Sequence, residues 1–175
     1  YGIVPTSSTV AQLAIGDAIA ISLMTQKKFS KFDFKKFHPS GNLGKKLRTV
    51  EDLMLTNNKI PFVNEKASLK KTIKIINLKK LGVAIIRNSK KETIGIFTDG
   101  DIKRTIQKND KINKLFIKSF MTKNPISIDK NVLAAKAIGI MNEKKITSLC
   151  VHHKSNKKKT IGILHIHSLI NADIF

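Results

Sequence analysis

The apolar and polar positions of this chain follow a pattern that is stated twice. Val50-Glu51-Asp52-Leu53-Met54 is echoed by Ile117-Lys118-Ser119-Phe120-Met121, and Gly95-Ile96-Phe97 by Gly162-Ile163-Leu164. Both pairs lie 67 residues apart. Pro61 and Pro125 align after a short gap, as do Leu69-Lys70-Lys71 and Leu133-Ala134-Ala135. Within each copy the elements come in the same order. A short opening segment ends in Met54 or Met121. A short strand follows, predicted over Ile60 to Val63 and Ile126 to Ile128. Ala67-Ser68 or Asp129 then precedes a helix, predicted over Leu69 to Leu78 and Val132 to Asn142, with Leu69, Ile73 and Ile76 at helical spacing. A β-branched strand (Val83 to Ile86; Thr147 to Val151) and a second strand (Thr93 to Phe97; Thr160 to Leu164) flank a polar turn. A last helix starts at Asp99 and at His167.

The order β-α-β-β-α therefore occurs twice, and the duplication fixes the architecture. A unit of about 60 residues buries too little surface to be comfortable alone. Two such units can bury a shared face, and the seam between them is a natural place for a ligand.

Residues 1 to about 47 differ. Thr6-Ser7-Ser8-Thr9 is a run of capping residues, and Thr9 with Gln12 has capping-box spacing. A helix is predicted from Val10 to about Thr25, with small residues at Ala11, Ala14, Gly16, Ala18 and Ala20 and one mid-helix charge, Asp17. Apolar on most sides, it is expected to be buried in a larger domain. A basic, Phe-dotted segment runs from Lys27 to Phe37. The Pro and two Gly of His38-Pro39-Ser40-Gly41-Asn42-Leu43-Gly44 are then expected to exclude a regular element.

Composition changes the picture in three places. No apolar run approaches the roughly 18 residues of a membrane span, so no membrane partner is expected. The start, Tyr1-Gly2-Ile3-Val4-Pro5, has no signal-peptide layout and reads as the middle of a longer protein. The single Cys150 lies in an apolar stretch and suits a reducing cytoplasm. The net charge of +21 invites a nucleic-acid partner, but 30 Lys stand against 3 Arg. Groove readers favour the planar Arg fork. Richness in Lys, Ile and Asn is what an AT-rich genome encodes, so no nucleic-acid partner is expected.

The candidate chemistry lies at a strand-to-helix corner, Gly95-Ile96-Phe97-Thr98-Asp99-Gly100-Asp101. Gly95 allows close backbone approach. Thr98 offers a hydroxyl at a helix N-terminus, which favours a phosphate. Asp101 can accept the hydroxyls of a ribose. The alternative is plain helix capping by Thr98 and Asp101. In the second copy His165 stands where Thr98 does and Ser168 where Asp101 does, so that corner is expected to be weak, altered or empty. His165 and His167 lack acidic or Cys neighbours at ligand spacing, and no metal or cofactor is expected.

The repeat and the Gly95–Asp101 motif resemble the CBS domain, a nucleotide-binding regulatory module that occurs in pairs. Pro5-Thr6-Ser7-Ser8-Thr9, Gly16-Asp17-Ala18 and His38-Pro39-Ser40-Gly41-Asn42-Leu43-Gly44, directly before such a pair, resemble the D-arabinose 5-phosphate isomerase family. Ser40 and Ser168 depart from that family's pattern.

The resemblance implies an α/β (α+β) fold with three parts: residues 1–47 as the end of a sugar-isomerase (SIS) domain, 48–110 as CBS repeat 1 and 111–175 as CBS repeat 2. It implies a parent that interconverts D-ribulose 5-phosphate and D-arabinose 5-phosphate for the Kdo of lipopolysaccharide, acting as a cytoplasmic tetramer. It implies a catalytic role for His38, whose alternative role is to brace a loop. It implies regulatory binding of an adenine nucleotide or CMP-Kdo at Gly95, Thr98 and Asp101. The fragment alone is expected to be inactive. The competing expectation is a stand-alone CBS-pair adenine-nucleotide sensor without a catalytic role.

Overall fold

The computed structural model describes residues 3–37, 41–108 and 115–174. They fall into two compact units, residues 1–47 and 48–175.

In the first unit α1 spans Ser7–Gln26, longer at both ends than predicted. Thr9 does not cap it. Its hydroxyl donates to the Pro5 carbonyl one turn back, and no side chain caps the helix at Thr6. The helix buries none of its residues. By length and composition alone it could cross a membrane, contrary to the expectation above. Ser, Thr and Gly interrupt the apolar run in the sequence, yet one 20-residue helix gathers the whole stretch. One such helix is weak evidence for a span, and Asp17 at its middle would cost about 2.5–3.5 kcal/mol at a bilayer centre. α2 (Lys31–Phe37) forms within the basic segment, started by a reciprocal Ser30–Asp33 cap. α3 (Asn42–Lys46) enters the loop expected to be irregular. Glycine weakens a helix by about 1 kcal/mol but does not forbid one. His38 lies outside the described residues.

The second unit carries the duplication. Repeat 1 supplies α4 (Val50–Leu53), β1 (Phe62–Asn64), α5 (Leu69–Lys79), β2 (Val83–Arg87), β3 (Thr93–Thr98) and α6 (Asp99–Lys108). Repeat 2 supplies a 3-10 turn (Ile117–Ser119), β4 (Thr122–Lys123), β5 (Ser127–Asp129), α7 (Ala134–Lys144), β6 (Ser148–His153), β7 (Asn156–His165) and α8 (Ile166–Ile170). Three boundaries differ from the prediction for local reasons. β1 starts after Pro61, which has no N–H to give the ladder. α7 starts at Ala134 because an Asx turn, Asp129 accepting from Asn131 N–H, holds the preceding residues out of the helix. β7 starts at Asn156 because the basic tip continues the hairpin.

One sheet has the order β1-β2-β3-β4 and the other β5-β6-β7. In each, the first pair is parallel and the next antiparallel. The opening segments are exchanged between the repeats. Val50 of repeat 1 is buried in the repeat 2 core with Ile128, Leu149 and Leu164. Ile117 of repeat 2 is buried in the repeat 1 core with Val63, Leu69 and Phe97. Backbone bonds repeat the exchange, with Val50 N–H donating to Val132 and Leu69 N–H to Leu115. Thr122 pairs with Ile96, and its counterpart Leu55 pairs with Ile163. The two sheets meet at a third apolar cluster of Ile60, Val83, Ile85, Cys150 and Ile163. At the centre the hydroxyls of Thr93 and Thr160, equivalent residues 67 apart, hydrogen-bond at 2.7 Å. That contact marks a pseudo-two-fold axis.

Candidate functional site

The seam between the repeats opens into a cleft of about 660 Å³. Both strand-to-helix corners face it: Thr98, Asp99 and Asp101 from the first, His165 and His167 from the second. Beside it lies an apolar cavity of about 130 Å³, walled by Ile85, Pro125, Ile126 and Cys150. Val83, Ile96, Thr122, Ile146 and Ser148 line both spaces.

At the first corner Asp101 is nearly buried, at 8% exposure. Its Oδ2 accepts from the Thr98 backbone N–H at 2.9 Å and from the Thr98 hydroxyl at 2.8 Å. The Asp101 N–H donates back to the same hydroxyl at 3.3 Å. This is a capping box for α6. Arg104, one turn on, donates to Oδ1 at 2.6 Å, and its side chain is two-thirds exposed. The Thr98 hydroxyl is thus turned toward Asp101. Oδ1 keeps a lone pair, and the exposed Arg104 arm lines the cleft. A carboxylate has about four acceptor sites, so a ligand hydroxyl can join Arg104 at Oδ1.

Gly95 does not line the cleft. A Cβ placed on it would sit 2.6 Å from Met121 Sδ and 2.9 Å from the Thr122 carbonyl. The close approach it permits is that of the exchanged segment of repeat 2, rather than a ligand. Gly162 meets Met54 and the Leu55 carbonyl in the mirrored way.

At the second corner His165 does the capping: its Nδ1 accepts from the His167 N–H at 3.2 Å. The two rings stack at 5.0 Å. Burial, and then the nearby charge of His167, push the His165 imidazole below its ordinary pKa. The neutral form is therefore favoured, and an Nδ1 that accepts leaves its proton on Nε2. Among the described residues no three His, Cys, Asp or Glu side chains converge as a metal site. Ser148 occupies the place of Val83, since Val83 pairs with Thr98 as Ser148 pairs with His165. Its buried Oγ has no hydrogen-bond partner among the described residues. In the cavity wall, burial pushes the Cys150 thiol up to about 11.

Lys80 and Lys145 complete the rim. Each ends its helix in the left-handed conformation, at φ 55° and 53°. Thr98, Asp101 and the two histidines, all singled out from the sequence, line this cleft. Sequence reasoning passed over Lys80, Lys145, Arg104 and Ser148. Two signals were available: the echo of Lys79-Lys80-Leu81 in Lys144-Lys145-Ile146, and Arg104 one turn after Asp101.

Residues 50–108 and 117–174 each match the profile of the CBS domain. Over 174 residues, 99% of the chain, it is 37% identical to Arabinose 5-phosphate isomerase KdsD of Salmonella typhimurium. It spans about half of that relative, 52% of its length. Among solved structures it is similar to CBSX2 in complex with AMP, with TM-score 0.61, 22% identity, and coverage of 72% of this chain and 96% of that one. It is also similar to the CBS domain pair of MJ0100 in complex with 5′-methylthioadenosine and S-adenosyl-L-methionine, with TM-score 0.63, 18% identity, and coverage of 71% and 94%.

Proposed function

The chain belongs to the CBS domain family, carrying that module twice, and from this premise we propose that its inter-repeat cleft is a nucleotide sensor serving a sugar-phosphate isomerase. The observation that carries the proposal is the pairing of a cleft that holds the Asp101 carboxylate and the Arg104 guanidinium with an adjoining apolar slot. A flat base suits the slot. Ribose hydroxyls suit the free lone pair of Asp101 Oδ1. Arg104 suits the phosphate better than Thr98 does, because the Thr98 hydroxyl already serves Asp101. An adenine nucleotide or a sugar nucleotide such as CMP-Kdo meets these demands.

The similarity to Arabinose 5-phosphate isomerase KdsD along nearly the whole chain supports the wider proposal. Residues 1–47 are read as the end of the isomerase domain, and the parent as a cytoplasmic tetramer interconverting ribulose and arabinose 5-phosphates for Kdo synthesis. Moving a proton between C1 and C2 through an enediol needs a base and oxygen donors. His38 is the residue of this chain proposed for that site. α1 is proposed to pack within the isomerase domain rather than in a bilayer, given its small residues and central Asp17.

Calorimetry with AMP, ATP and CMP-Kdo tests the sensor, using wild type and Asp101→Asn with melting temperature as the folding control. Binding that Asp101→Asn abolishes is expected; no heat from any of them removes the idea. No isomerase turnover is expected from this chain alone, with turnover from the full-length protein. Arabinose 5-phosphate conversion by the purified chain would overturn that division.

A further inference from the structure

We infer that the second corner is the anion-reading half of the cleft, so that the preferred ligand is a nucleotide whose acidic end extends beyond a single phosphate, toward His165, His167 and Lys145. This rests on the nucleotide proposal above and adds an orientation and a ligand class to it.

The cleft is polarised. The carboxylates in its lining, Asp99 and Asp101, both belong to the first side, where Lys80 and Arg104 offset them. The second corner contributes Lys145, His165, His167 and the Ser148 hydroxyl, and no acid. His165 uses Nδ1 as the acceptor that caps α8, so its proton must sit on Nε2. The ring then has one polar atom left for the cleft, and that atom is a donor. Ser148 adds a buried hydroxyl with no partner among the described residues, on the wall shared by the cleft and the apolar cavity. Lys145 is paired with no acid among the described ion pairs, and its left-handed backbone fixes where the side chain leaves the helix end. A hydroxyl-rich ligand end is met by acceptors at Asp101. An end rich in acceptors suits Lys145 and the His165 Nε2–H opposite, and the Ser148 hydroxyl can turn to donate to it. A nucleoside 5′-monophosphate fills the first half of that description; a second phosphate or a sugar carboxylate fills the rest.

The test compares the dissociation constants of AMP and ADP for the whole chain by calorimetry, in wild type, Lys145→Ala and His167→Ala. His165 is left intact because it caps α8. ADP is expected to bind wild type about tenfold more tightly than AMP, the worth of one charge-assisted contact. In both variants that ratio is expected to fall toward one while AMP affinity holds. If AMP binds but ADP gains nothing, or if the variants leave the ratio unchanged, the anion-reading corner is overturned and the nucleotide site stands. If neither nucleotide binds, both fall. Equal losses of AMP and ADP affinity would also overturn it, since they would place the two residues on the shared part of the ligand.

Discussion

The two repeats share a backbone plan and differ in charge. Glu51 and Lys118 occupy equivalent places, each one residue past a buried anchor, Val50 and Ile117. Glu65 and Lys130 are equivalent too, each donating its N–H to the strand residue beside it, Arg87 and His152. The exchange brings Glu51 to Lys130 at 2.8 Å and Lys118 to Glu65 at 2.6 Å, the same latch with its polarity reversed. Had each opening segment docked on its own repeat, Glu51 would face Glu65 and Lys118 would face Lys130. The reversal therefore favours the exchanged arrangement over the unexchanged one. The corners differ in the same spirit. Asp101 with Thr98 puts a carboxylate in the cleft, while Ser168 stands in the matching place without one and His165 and Ser148 bring an imidazole and a hydroxyl. Duplication supplied symmetric geometry, and substitution at a few matched positions made the cleft directional.

Breaking the backbone fit of the exchange has the largest expected effect. Gly95→Ala drives a Cβ against the Thr122 carbonyl at 2.9 Å, whereas Gly162→Ala meets the Leu55 carbonyl at 3.2 Å and the flexible Met54. Gly95→Ala should cost about 1–3 kcal/mol by denaturant unfolding, and Gly162→Ala less. Equal costs would mean that the two contacts are equivalent after all.

The latches come next. The double variant Glu51→Lys with Lys118→Glu keeps the net charge but makes both latches like-charged. It should lose about 1–2 kcal/mol, since exposed pairs are worth about 0.2–1 kcal/mol each and like charges repel. Adding Lys130→Glu and Glu65→Lys should restore it. A stable double variant would sink the polarity argument.

A smaller effect is expected from pH. The fold holds His165 neutral, so as pH falls through about 6.5 the unfolded chain takes up that proton first. The stabilisation is present above that value and declines below it, until the folded ring also titrates. In His165→Thr this part of the acid sensitivity should vanish from melting curves measured between pH 7.5 and 5. Thr98 has no such titration, so an unchanged slope in the variant would show that the corners do not differ in this way.

The smallest effect concerns Cys150. Burial keeps its thiol protonated to about 11, so alkylation of native protein at pH 8 should be far slower than of unfolded protein. Rapid native labelling would mean that the cavity wall opens.

Much of this was legible in the residues. The duplication located the β-α-β-β-α core of each repeat to within a few positions, because alternation and helical spacing were repeated in two unlike stretches, while the short helix α4 and the two-residue strand β4 of the opening segments went unpredicted. Thr98 and Asp101 were legible because one corner motif carries both. The exchange of opening segments was not, because a sequence offset says which residues are equivalent and nothing about which copy each one packs against. For the same reason Gly95 looked like a ligand contact when its neighbour is Met121. Lys80, Lys145 and Ser148 were hidden by type: lysines are abundant in this chain, and one serine in an apolar strand stands out only once Val83 is seen to be its partner position. Helix α3 was missed because glycine was treated as a barrier when it is only a modest cost.

The directional cleft is tested most directly by the calorimetric stoichiometry of AMP on the whole chain. One AMP per chain is expected, held at the corner that has a carboxylate. Two equivalent AMP molecules per chain would contradict the claim that the corners have diverged.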